Sequence, residues 1–159
     1  MKPDFWLKYA LEPALSLLPP KMDTLPARAM CMAVCLQESR LEHRHQIGGP
    51  AHGYGQFEQG GGVRGVLNHA ATKPHIRSVL EALDYSPDSS PADCYVAIEH
   101  NDILAAAFVR LNLYWLPALL PVRGDPEGGW LQYTEAWKPG KPHRQSWNEL
   151  YANAWEAVS

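Results

Sequence analysis

The chain has 159 residues, 46% hydrophobic and 19% charged, with a formal net charge of −3. That length suits one compact domain over residues 1–159 and is short for two, and the apolar content excludes a disordered chain. The small negative charge excludes a general attraction to nucleic acid, and no local basic patch supplies one.

The first element is expected in "MKPDFWLKYALEPALSLLPPKM", as a short amphipathic helix closing at Pro19-Pro20. Lys8, Glu12 and Pro13 interrupt its apolar run and no small-residue cleavage site follows. Neither a signal peptide nor stable membrane insertion is therefore expected, and synthesis in the cytoplasm follows. In "TLPARAMCMAVCLQESRLE", Thr24 can cap a helix, Pro26 suits its first turn, and Ala29, Met32, Ala33 and Leu36 recur at helical spacing. The pattern predicts a buried helix with Glu38 near its C-terminal end. Cys31 and Cys35 lie one turn apart and Cys94 is remote, so buried thiols are expected. No second ligand pair has structural-zinc spacing, and neither metal nor cofactor is expected.

Glycines and prolines force irregular backbone from Gly48 to Gly55. "GVRGVLNHAA" and "HIRSVLEALDY" predict short helices. "SPADCYVAIEHNDILAAAFVRLNLYWLPALLP" predicts one or two more, ending at Pro117 and Pro121, and the tail from Glu127 reads as an aromatic-rich loop between two helical pieces. Strand signals are scarce. The expected class is mostly α, with a small β element near the glycines.

The chemistry-bearing groups concentrate in residues 37 to 65. A glutamate at the end of an apolar helix is partly desolvated, which raises its pKa and suits a general acid, although a glutamate there is also an ordinary surface group. His43, His45 and His52 read as a polar loop, since no carboxylate is paired with them in the sequence. "GGGVRG" lacks the lysine and hydroxyl residue of a phosphate loop and reads as a turn into a helix.

Glu38-Ser39, followed by Leu41 and then by Pro50-Ala51-His52-Gly53-Tyr54-Gly55-Gln56, resembles the lysozyme-like lytic transglycosylase domain of the SLT type, as found alone in bacteriophage endolysins. That family places its catalytic glutamate eighteen positions before a motif glutamine, the separation of Glu38 from Gln56. Ala51, Gly53 and Gln56 match the motif; Pro50, Tyr54 and Gly55 replace a glycine, a leucine and a methionine. The resemblance implies a lysozyme-like fold, α+β with little β, around a substrate groove. It implies that Glu38 protonates the glycosidic oxygen between N-acetylmuramic acid and N-acetylglucosamine, that Ser39 positions the acid or the helix end, and that Gln56 contacts sugar. Gly53 and Gly55 would let the backbone approach the glycan, with Tyr54 beside them.

The family also sets a tyrosine hydroxyl beside the acid. Tyr133 in "QYTEAWKPGKP" is preferred and Tyr114 is the other candidate; the family's asparagine is replaced by Thr134. Trp130, Trp137 and Trp147 are candidates for stacking on sugar or for the core. Glu58 is a candidate second carboxylate, as hydrolysis would need, whereas transglycosylation dispenses with one. The resemblance thus implies an enzyme acting on peptidoglycan glycan strands in the periplasm, exported with a holin-like partner. Transglycosylase chemistry is favoured narrowly over lysozyme hydrolysis, with a noncatalytic wall-binding or virion structural protein as a further reading.

Overall fold

In the computed structural model, which describes residues 1–159, helices follow one another along nearly the whole chain. The first segment is helical in three abutting stretches, α1 (Pro3–Trp6), a π-helical stretch Leu7–Leu11 and α2 (Glu12–Ser16). Pro13 has no N–H for the Tyr9 carbonyl and its ring would collide with that group in a regular α-helix; the wider π turn relieves both. As expected, the helix stops before Pro19-Pro20, where a 3-10 turn, Pro20–Met22, follows.

Helix α3 (Leu25–Ser39) begins where the Ala27 N–H donates to Thr24 Oγ1 at 3.2 Å, with Pro26 in the first turn. Every residue from Ala29 to Leu36 is buried, so α3 is an interior helix, apolar on all faces. It ends at Arg40 and Leu41, both in the left-handed region at φ 55° and 57°. After a π-helical stretch, Gln59–Val63, come α4 (Arg64–Asn68) and α5 (Lys73–Ala82). Helix α5 buries Ile76, Val79 and Leu80, the stripe its spacing predicts.

The long apolar segment resolves into two helices, α6 (Pro91–His100) and α7 (Asp102–Tyr114). Asn101 divides them by leaving helical geometry and capping the second, its side-chain oxygen accepting from the Leu104 N–H at 3.0 Å. Helix α7 stops ahead of Pro117, and Pro121 ends no helix. The tail departs from expectation. It consists of α8 (Pro126–Trp137) and α9 (Arg144–Val158), and only residues 138–143 form a loop. Its aromatics obey helical spacing: Trp147, Tyr151, Ala154, Trp155 and Val158 make the buried stripe of α9.

Helices α3 and α9 pack along each other more extensively than any other pair, and α7, buried from Leu104 to Leu113, touches α2 to α6 and α8. One continuous apolar core of 39 residues results. The expected β element is reduced to two antiparallel bridges, His45 with His52 and His52 with Phe57. Cys31, Cys35 and Cys94 are buried free thiols; burial raises Cys31 to about 12 and Cys94 to about 11, so neither is a ready nucleophile. No helix is long and apolar enough to cross a membrane.

Candidate active site

The C-terminal end of α3 opens onto a cavity of about 750 Å³, walled by the 46–62 segment, by α8 and by the 138–143 loop. Glu38 stands in its wall, half-buried, with the Tyr133 hydroxyl of α8 donating a hydrogen bond to its Oε1. Burial raises the Glu38 carboxyl to about 7, and the Tyr133 bond, which favours the anion, opposes that rise. The carboxyl is thus divided between acid and anion near neutral pH. Tyr133 itself is pushed well above the ordinary phenol range, first by burial and then by the adjacent carboxylate, so it remains a donor.

The aromatic floor fixes Tyr133. Its ring stacks on Trp147 at 5.2 Å between centroids and 9° between planes, and Trp147 is fully buried. Helix α8 comes close enough for this because Gly129 faces α9 without a side chain; a Cβ there would lie 2.7 Å from Tyr151 and 3.1 Å from Trp147. A glycine inside the stretch that reads as a loop is what lets two helices touch.

Ser39 fastens the helix end to the neighbouring loop. Its Oγ lies 2.8 Å from the Tyr54 carbonyl and 3.1 Å from that of Cys35, and it accepts from the Leu41 N–H at 3.2 Å. Gln56 ends a tight turn in which His52 and Phe57 exchange both backbone hydrogen bonds, at 2.9 and 2.8 Å. It occupies the left-handed region at φ 52° and lines the cavity. Its Nε2 donates to the Gly53 carbonyl at 2.9 Å, so Oε1 and a second N–H have no protein partner. Glu58 also lines the cavity and is exposed.

Three residues expected at the substrate are placed outside the cavity lining. Gly53 (φ 73°) does not line the cavity, and a Cβ on it would lie 2.6 Å from Ile98 of α6. A Cβ on Gly55 would lie 2.6 Å from Val109 of α7. The close approach these glycines permit is to the protein's own helices. Tyr54 is buried behind the cavity, under the Arg44 guanidinium at 4.7 Å, which Asp102 holds through two 2.8 Å bonds. The bulk of the tyrosine ring is thereby absorbed in packing.

Of the three tryptophans only Trp137 reaches the cavity, and its Nε1 donates to the Gly55 carbonyl at 2.8 Å, tying α8 to the turn that carries Gln56. Trp130 packs against Trp147 and Tyr133 instead, and Tyr114 does not line the cavity. Sequence reasoning missed Gln37, which accepts from Ser146 Oγ and donates to the His143 carbonyl, both at 3.0 Å, clamping the far wall. It also missed Asn112, and Lys138 and Lys141 on the rim. A helical reading of the tail would have found the last two, since it ends α8 at Trp137 and turns the next residues into a site loop. No protein-family model, curated protein or solved structure matches the chain.

Proposed function

We propose that the chain is a peptidoglycan-cleaving glycosidase with a lysozyme-like arrangement, of the kind used by single-domain bacteriophage endolysins. The observation that carries this reading is Glu38: a carboxyl raised to about 7, standing in a cavity wall and bonded to a tyrosine hydroxyl. A glycosidic oxygen leaves only when protonated, and an acid with a pKa near the working pH is both populated and able to give up its proton. Glu38 is the general acid for the oxygen between N-acetylmuramic acid and N-acetylglucosamine. Gln56 offers unpartnered amide groups to a glycan, Trp137 offers an aromatic wall, and Lys138 and Lys141 suit the carboxylates of stem peptides.

In this reading the sugar's own 6-hydroxyl attacks, giving an anhydro product, and the enzyme acts in the periplasm after release by a holin-like partner. Hydrolysis is the second reading, favoured by the place of Glu58 on the same cavity, where it would serve as the second carboxylate. Incubation with purified Gram-negative sacculi, followed by mass spectrometry of the soluble fraction, tests both. Anhydro muropeptides, lighter than hydrolysed ones by one water, are expected. Reducing ends alone would establish hydrolysis, and no release would point to a noncatalytic wall-binding or virion protein.

A further inference from the structure

We propose that His45, His52 and Glu99 form a binding site for one divalent transition-metal ion, zinc by ligand type, outside the lining of the cavity that holds Glu38. One ligand atom from each of the three lies within 4.8 Å of the other two. The bridge between His45 and His52 makes them directly opposed residues of an antiparallel pair, so both imidazoles stand on one face, with ring centroids 4.7 Å apart. Helix α6 supplies the carboxylate. Glu99 Oε1 lies 3.1 Å from His45 Nδ1, and Oε2 lies 3.5 Å from His52 Nε2.

His52 is the anchor. Its side chain is only 8% exposed and stacks on Tyr95 at 3.7 Å, one turn before Glu99 on α6. Its Nδ1 lies 2.8 Å from the Tyr95 carbonyl, an acceptor, so the proton is on Nδ1 and the Nε2 lone pair points toward the Glu99 carboxylate. A carbonyl holding the far nitrogen of a histidine is the usual outer-shell partner of a metal ligand. Two acceptors facing each other call for a positive charge between them. A proton would satisfy His52 and Glu99 alone; the convergence of His45 on the same carboxylate is what a metal requires.

The dimensions agree. In tetrahedral zinc with ligands at about 2.0–2.1 Å, neighbouring ligand atoms are about 3.3 Å apart; the 3.1 and 3.5 Å separations present run to the two different oxygens of Glu99, and the carboxylate must turn to offer one oxygen to both rings within the 4.8 Å cluster. The remaining adjustment falls on His45, whose side chain is 55% exposed and free to turn. Two histidines and one carboxylate leave a fourth position for water, and His45 keeps it open to solvent. The ion would staple the 44–57 segment, whose other side brings Gln56 to the cavity, onto α6.

Cobalt(II) and zinc titrations of the metal-free chain test the site. One equivalent of cobalt should give the strong visible bands of a tetrahedral centre, zinc should displace it, and saturating zinc should raise the melting temperature by about 5–10 °C. His45→Ala and Glu99→Gln should each weaken zinc binding about tenfold or more, while His75→Ala should leave it unchanged. In case a variant fails to fold, nitrogen-15 spectra of the wild-type imidazoles give an independent readout, in which zinc should shift the ring nitrogens of His45 and His52. Absence of saturable binding, binding that survives both substitutions, or ring shifts confined to other histidines would overturn the proposal.

Discussion

The Tyr133 hydroxyl donates to Glu38 Oε1, joining the C-terminal end of α3 to the middle of α8 across 95 positions of the chain. Burial pushes the carboxyl toward the neutral acid and this bond draws it back toward the anion. The balance sets the pH at which a proton donor is available.

Tyr133→Phe removes the opposing influence and leaves burial unchecked. In the wild type, kcat/KM for glycan cleavage should fall above a pH of about 7 as Glu38 loses its proton. In the variant that descending limb should move to higher pH, with a lower plateau because the acid is less firmly held. A pH–rate profile on solubilised glycan strands reads both. A limb that stays in place or moves to lower pH contradicts the assignment.

Glu38 should also carry a stability penalty. Its folded pKa, about 7, exceeds the ordinary value of 4.5, so between those values the folded state holds a proton that the unfolded chain has released. Stability should therefore fall as pH rises through this window and level off above it. Glu38→Gln, which does not titrate, should gain about 1–3 kcal/mol on the wild type between pH 4.5 and pH 8. Urea unfolding at the two values measures the change, and a difference that is flat or reversed would show that burial does not govern this carboxyl.

Gly129→Ala sets two effects against each other. Alanine favours a helix over glycine by about 1 kcal/mol, but its Cβ would meet Tyr151 at 2.7 Å in a packed interface, and overpacking of that kind costs about 1–3 kcal/mol. Net destabilisation should result, with activity falling further than the unfolded fraction explains because α8 carries Tyr133. Thermal melts paired with rates per folded molecule separate these; a more stable, fully active variant would sink the packing argument.

Gln56→Ala should lower kcat/KM about tenfold to a hundredfold, the range for lost positioning hydrogen bonds, while leaving measurable turnover. Complete loss in a folded protein would mean that Gln56 takes part in the chemistry.

Local signals carried the sequence reading where they were sufficient. Thr24, Pro26 and the uninterrupted apolar run defined α3 and put Glu38 at its end, because caps and periodicity act within one turn. Tyr133 was reached through a resemblance and not through spacing, since the contact spans most of the chain. Gly53 and Gly55 were assigned to the glycan because a glycine signals close approach without naming what approaches; here the answer is Ile98 and Val109. The tail is helical for a related, non-local reason, Gly129 making room for Tyr151 and Trp147 of a helix that lies more than a dozen residues on. His45, His52 and Glu99 carried no metal spacing because a bridge and a helix packing, neither local, bring them together.

The central claim is that Glu38 delivers the proton that breaks the glycan. Wild-type protein and Glu38→Gln, both shown to be folded, should be compared at equal concentration near neutral pH for release of soluble muropeptides from purified sacculi. The amide is close in size and can still accept from Tyr133, but it has no proton to give the leaving oxygen. Release by the wild type and its loss by at least about a thousandfold in the variant is the predicted result; release by the variant at a substantial fraction of the wild-type rate would contradict it.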